Sequence, residues 1–320
     1  MIRYLIIIIA TMLSIASCTP TPQGGATATY GEPEAPKKIG LVLGGGGAKG
    51  AATIGALKII EQSGVQVDYV AGTSIGAVIG ALYCAGYTAD ELSQLFASLQ
   101  WTELIKGNLM EEKFKAVLAE RGVVNFEDLQ KPFSCVAVNV GTGADDWLSS
   151  GLVYKAMRAS MSIPPLYMPV ELGDVKYLDG GFLNNLPVDV VRDMGADIVI
   201  AIDLQQDKEE TDFQNLAETL SSMRNADMIG GIIGSLLGQE YEFMFRYLQT
   251  RPDTVKYVQN RRNSDIYINP VLTGCNATSF GKWRRMMEIG DSTAKQQIWT
   301  LKKLTISQKL IIDTNNIRTY

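Results

Sequence analysis

The chain has 320 residues, 46% of them hydrophobic and 20% charged, with a net charge of −5. That balance suits a globular protein with a sizeable core, and the lack of any basic run argues against a nucleic-acid partner. The chain contains no histidine, which excludes Ser-His-Asp and Cys-His triads and removes the commonest metal ligand. Hydrolytic chemistry would fall to Asp, Glu, Lys, Tyr or backbone groups.

The first residues read as an address. Arg3 is followed by a nearly continuous apolar run, Tyr4 to Ile15, too short to span a bilayer comfortably as a helix. It leads into Ile15-Ala16-Ser17-Cys18, which resembles the bacterial lipobox: an aliphatic residue and two small ones before a cysteine. The resemblance implies a signal peptide over residues 1–17 and a lipid anchor at Cys18. A plain signal peptide with an incidental cysteine is the alternative. Several acyl chains on one cysteine anchor far more firmly than one myristoyl chain. Thr19 to Lys37, rich in Pro, Gly, Thr and Ala, reads as a flexible tether. The expected organisation is therefore a lipidated cysteine and tether over 18–37, a folded domain over 38–304 and a tail over 305–320. The expected location is the bacterial cell envelope, on a membrane and facing the periplasm from the outer membrane, since Thr19 carries no acidic retention signal.

Lys38 to Leu43 predicts a strand that ends in four glycines, and Ala48 to Ser63 has helical spacing. Tyr69 to Gly72 predicts a second strand and Ser74 to Gly86 an apolar helix. Helices are predicted over Thr88–Leu99, Glu112–Glu120, Val153–Ser160 and Val188–Met194. Strands are predicted over Phe133–Val140, Val175–Leu178, Ala196–Asp203 and Asp265–Asn269. A long helix is predicted over Asn225–Tyr247, with a glycine-interrupted apolar middle (Met228–Leu237), and mostly helix over Phe280–Leu304. The alternation predicts an α/β fold with a parallel-rich central sheet and helices on both faces. Cys84 and Cys135 fall in apolar stretches and predict buried thiols. Cys275 shows no partner spacing.

Three motifs carry chemistry. Gly72-Thr73-Ser74-Ile75-Gly76 is a G-x-S-x-G between strand and helix, the context a nucleophile elbow requires; a packing turn is the bland alternative. Gly72 and Gly76 would let strand and helix pass closely, and the helix N-terminus would face the developing negative charge. Gly44-Gly45-Gly46-Gly47-Ala48-Lys49-Gly50 follows a strand and opens a helix. It lacks the lysine and Ser or Thr positions of a Walker loop. It fits a dinucleotide G-x-G-x-x-G, but no acidic residue ends a second strand. An oxyanion hole fits best, because the serine motif lies one βα unit away and both loops would leave a parallel sheet at the same edge. Asp179-Gly180-Gly181 ends a strand. It reads either as an Asx-turn cap or, with no histidine available, as the base for the serine.

GGGGAKG, GTSIG, the ASMSIP segment (Ala159 to Pro164) and DGGFLNNLPVDV (Asp179 to Val190) occur in that order. Together they resemble the patatin-like phospholipase family, closely over Lys38 to Asp203 and loosely beyond. The resemblance implies a three-layer sandwich and a Ser-Asp dyad with Ser74 as nucleophile and Asp179 as base. It implies oxyanion amides from Gly45, Gly46 and Gly47, with Lys49 at the family's basic position. It also implies hydrolysis of phospholipid or lysophospholipid acyl esters with no metal and no cofactor. Thr53 stands where members often carry histidine, and Pro165 follows Pro164 where they tend to have glycine; neither position belongs to the dyad. Acyl transfer on the same dyad, and an inactive tethered lipid-binding module, are the competing expectations.

Overall fold

Strand β1 (Ile39–Leu43) is buried along its whole length, as an IGLVL run demands in a sheet covered on both faces. The computed structural model describes residues 35–101, 104, 109–163, 167–205 and 254–317, with side chains as far as 308. The helix expected over 225–247 and its apolar middle lie outside these residues, as do the segment up to Cys18 and most of the tether.

From β1 the chain passes through a short 3-10 turn (Gly47–Lys49) into α1 (Gly50–Ser63), then β2 (Tyr69–Thr73) and α2 (Ile75–Cys84). Helix α3 (Ala89–Ser98) starts at a capping box in which Thr88 and Glu91 each accept the other's backbone amide. Helix α4 (Met110–Ala119), strand β3 (Phe133–Asn139), strand β4 (Asp145–Leu148) and helix α5 (Val153–Ser160) follow. Strands β5 (Val170–Leu172) and β6 (Val175–Asp179) precede α6 (Val188–Asp193) and β7 (Ile198–Ile202). Helix α7 (Thr254–Arg262), strand β8 (Ile266–Ile268) and helices α8 (Trp283–Lys295) and α9 (Ile298–Ile317) complete the described chain.

The eight strands form one mixed sheet, mostly parallel through β3, β2, β1, β7 and β8. Successive strand residues face opposite ways, so each strand feeds two cores. Ile39, Leu41 and Leu43 pack with α1 and α2 in the larger core, while Val42, Ala71 and Val199 pack with Val188, Val190 and Val191 of α6 on the other face. The α/β architecture with helices on both faces is thus present.

The sheet departs from the parallel expectation on one side. Val136 of β3 is paired with Thr73 of β2 and with Trp147 of β4. Ala137 is paired with Asp146 of β4 and with Asp179 of β6. A strand residue has two neighbours, so β2 and β6 must share the edge of β3 that faces away from β4. Strand β2 runs parallel to β3 and stops at Val136, whereas β6 runs antiparallel and stops at Ala137. The C-terminal ends of β2 and β6 therefore meet end to end.

The expected end of the folded domain is residue 304. It falls inside α9, where Thr305 is buried and donates its hydroxyl to the Ser63 carbonyl at 3.0 Å. Among the described residues no helix is long and apolar enough to cross a membrane. Cys84, Cys135 and Cys275 are free, buried thiols.

Candidate active site

Ser74 follows the last residue of β2 and caps α2, with φ 55° and ψ −124°. It is the one non-glycine residue with positive φ among those described. A side chain held there costs roughly 1–3 kcal/mol of backbone strain, which persists only where the surroundings enforce it. The flanking glycines show how. A Cβ at Gly72 would collide with the carbonyl of Gly76, and one at Gly76 would collide with the carbonyl of Leu43. The turn can close this tightly only without either side chain.

Hydrogen bonds then fix the turn. Ser74 N–H donates to Ser160 Oγ at 2.9 Å, and Ser160 Oγ–H donates to the Val136 carbonyl at 2.6 Å. Thr73 Oγ1–H donates to the Asn184 carbonyl at 2.8 Å. The serine itself is buried.

Asp179 reaches this point because β6 ends opposite β2. It is fully buried, and its backbone N–H donates to the Ser162 carbonyl at 2.9 Å. Burial pushes its carboxyl up to about 7; the Ser74 hydroxyl and the Gly181 amide, which favour the charged form, offset part of that rise. Gly181 N–H donates to Oδ1 at 2.8 Å. Oδ2 has no partner in hydrogen-bond geometry among the described residues. Ser74 is thus close enough to influence the carboxyl without a fully aligned bond, a common state for catalytic contacts before substrate arrives. Gly180 is required next door, because a Cβ there would strike the Val136 carbonyl.

The glycine loop passes directly beside Ser74. A Cβ on Gly45 would lie 3.2 Å from Ser74 Cβ and would collide with the Asn185 side chain. The amides of this loop are not equivalent. Gly45 N–H already donates to the Asn185 carbonyl at 3.2 Å, whereas the amides of Gly46 and Gly47 have no acceptor among the described residues. Gly47 has φ 54° and is crowded by Ala277, so glycine is needed there on both counts. The Lys49 ammonium donates to the Leu204 carbonyl at 2.9 Å. That contact ties the loop to the end of β7. Of the three glycine amides expected in the oxyanion hole, those of Gly46 and Gly47 are the ones with no backbone acceptor among the described residues.

The motif reading gave no role to Ser160, Asn184 or Asn185. Asn184 and Asn185 lie on the segment that follows Asp179, and their carbonyls hold the serine turn and the glycine loop respectively. Helix α7, which the periodicity missed, braces that segment. Lys256 Nζ bonds both Asp145 oxygens at 2.9 and 2.7 Å and approaches Asp189 at 3.2 Å. Asn260 Nδ2 donates to Asn184 Oδ1 at 3.1 Å and to Asp189 Oδ1 at 3.0 Å. Tyr257 and Tyr267 hydroxyls donate to Oδ2 of the buried Asp203 at 2.5 and 2.7 Å, beside the end of β7. The paired asparagines in DGGFLNNLP were the legible signal. Among the described residues no group of three or more cysteine or acidic side chains is arranged to hold a metal.

A strained serine on a strand–turn–helix elbow, a glycine loop beside it and a buried carboxyl end-on define the candidate site of this α/β protein. Residues 41–192 match the family model described as patatin-like phospholipase, and through this segment the chain belongs to that family. Patatin-like phospholipase domain-containing protein 7 of Rattus norvegicus is 30% identical over 278 residues, covering 79% of this chain and 20% of that protein. Lysophospholipase nte1 of Aspergillus fumigatus is 29% identical over 284 residues, covering 83% of this chain and 18% of that one. The chain thus spans about a fifth of the length of these curated relatives. The crystal structure of VipD from Legionella pneumophila shares the fold, with a TM-score of 0.52 at 17% identity, covering 83% of this chain and 67% of that one.

Proposed function

We propose that the protein is a serine lipid acyl hydrolase of the phospholipase A or lysophospholipase type, acting through Ser74 and Asp179. One observation carries this: the strained Ser74 meets a fully buried carboxyl whose pKa is pushed up to about 7. An ordinary aspartate, with a pKa of about 4, is a weak base at neutral pH. One near 7 is matched to the working pH, and with no histidine in the chain it takes that role.

In the proposed reaction Asp179 Oδ2 accepts the Ser74 hydroxyl proton as Oγ attacks the ester carbonyl. The free amides of Gly46 and Gly47 stabilise the oxyanion, and such a donor is typically worth about 3 kcal/mol in the transition state. The intermediate collapses, the alcohol leaves with the proton from Asp179, and an acyl-serine remains. Water then gives a proton to Asp179 and attacks the acyl carbon, which releases the fatty acid and restores Ser74. The names of the relatives, a lysophospholipase and a patatin-like phospholipase domain protein, support phospholipid or lysophospholipid substrates. The Ile15-Ala16-Ser17-Cys18 sequence supports a lipid anchor at Cys18 and an envelope location on the substrate-bearing membrane.

The test is fatty-acid release from a panel of defined phospholipids and lysophospholipids, with covalent labelling by a fluorophosphonate. Wild type should release acid and label; Ser74→Ala should do neither. Wild-type turnover in Ser74→Ala would remove Ser74 as nucleophile. Acyl groups recovered on added glycerol rather than as free acid would make the protein an acyltransferase.

A further inference from the structure

Buried polar side-chain atoms nearly always find a hydrogen-bond partner, so those without one call for an explanation. Among the described residues four lack a partner: Thr53 Oγ1, the Tyr167 hydroxyl, Asp179 Oδ2 and Asn185 Oδ1. The first two are hydroxyls, which can donate as well as accept. An ionised aspartate and an asparagine carbonyl oxygen can only accept. These two acceptors lie on one short segment of the site, six positions apart (185 minus 179).

Asn185 is buried against the glycine loop. Its backbone carbonyl accepts the Gly45 N–H at 3.2 Å, and its Nδ2 donates to the Gly45 carbonyl at 3.4 Å. A Cβ on Gly45 would collide with Asn185 Oδ1 and would lie 3.2 Å from Ser74 Cβ, so both atoms border the same side of Gly45. The serine is thus bordered by two open acceptors, one from the end of β6 and one beside the glycine loop.

The two halves of the proposed reaction use these acceptors differently. During acylation the Ser74 hydroxyl supplies the proton that Asp179 accepts. Once acylated, Ser74 Oγ carries no hydrogen, and the carboxylate needs a new donor. Water brings two hydrogens, and in a dry site both need acceptors. A single acceptor leaves the water free to turn, whereas two fix its lone pair toward the acyl carbon.

We infer that Asn185 is a further catalytic residue, whose Oδ1 accepts one hydrogen of the deacylating water while Asp179 Oδ2 takes the other. The inference rests on the hydrolase reading and adds to it the group that holds water as the acceptor of the acyl chain. The water oxygen bonds to the acyl carbon as one proton passes to Asp179. The second hydrogen stays on that oxygen, bonded to Asn185 Oδ1, and becomes the hydroxyl of the released fatty acid. The bond from the acyl carbon to Ser74 Oγ breaks, and Oγ regains the proton from Asp179. Asn185 itself gains and loses no proton.

The experiment follows p-nitrophenol release from p-nitrophenyl butyrate in the first turnover and in the steady state. It compares wild type with Asn185→Leu, which keeps the size of the side chain and removes the acceptor, with folding checked by thermal melting. The first turnover should stay within about fivefold of wild type while the steady-state rate falls about 10²-fold, the scale of one lost preorganised hydrogen bond. Butyrylated Ser74 should accumulate, visible in the mass of the intact protein. Hydroxylamine, a stronger nucleophile than water, should discharge it and restore most of the turnover. A folded Asn185→Leu with the wild-type steady-state rate overturns the inference. An equal drop in both phases also overturns it, and leaves Asn185 as a support of the glycine loop. If Asn185→Leu does not fold, Asn185→Ala is held to the same measure. Failure of the hydrolase reading looks different, as a wild type that releases no p-nitrophenol and takes up no fluorophosphonate.

Discussion

At the scale of single residues, Asp179 ties function to stability. Its carboxyl is pushed up to about 7 by burial, so the base form that the mechanism needs appears only as pH rises through that value. The kcat/KM profile should show an ascending limb near pH 7, and Asp179→Asn should lose turnover by several orders of magnitude. The same shift fixes a stability effect. The folded state holds the Asp179 proton to higher pH than the unfolded chain does, so between about pH 4 and 7 the native state binds more protons. Stability therefore falls as pH rises through that window, by up to about 4 kcal/mol for a shift of this size. Asparagine carries no such charge. Asp179→Asn should melt at the same temperature as wild type below pH 4 and at a progressively higher one up to pH 7, where the gap levels off. A variant that melts below wild type at pH 8 would show that the carboxylate is not buried at this cost.

At the scale of elements, the sequence made local chemistry legible and left long-range register hidden. IGLVL, YVAGT and FSCVAVN declared their strands because each is buried on both faces, and the elbow declared itself through two glycines around a serine. Asp179 was found for an incomplete reason. Its place at a strand end and the missing histidines singled it out; the opposed ends of β2 and β6 on β3 bring it to Ser74, and pairing partners 42 residues apart (179 minus 137) leave no local trace. Strands β4 and β5 were missed because DDWL and VEL are short and half exposed. Helix α7 was missed because its inward face is polar. It docks through Lys256, Tyr257 and Asn260 rather than through an apolar stripe. That docking gives a prediction. Lys256→Met leaves Asp145 and Asp189, both largely sheltered from solvent, facing one another without their shared cation. The loss should be about 2 kcal/mol, the usual worth of a hydrogen bond to a charged group. Turnover should drop as the Asn184 carbonyl loosens its hold on Thr73. A double-mutant cycle with Asp145→Asn measures the coupling, and additive effects would mean that α7 does not brace the site through this pair.

At the scale of the whole molecule, the question is how a buried serine meets lipid. The folded unit begins near Ala35, and the proposed anchor at Cys18 is joined to it by a Pro- and Gly-rich stretch. A protein anchored at Cys18, as proposed, would meet lipid at far higher local concentration than a dilute vesicle suspension provides. Linking of this kind commonly gains 10²-fold or more without any new contact. Cys18→Ser should therefore move the protein from the membrane to the soluble fraction of cells. It should lower turnover on vesicle lipid at low lipid concentration by about that factor, while leaving hydrolysis of a short, monomeric ester unchanged, because the proposed chemistry rests on residues between β1 and β7. Equal loss on both substrates would place the N-terminal segment in the site itself. Equal membrane retention would remove the anchor from Cys18 and leave the enzyme to find its lipid by its folded surface alone.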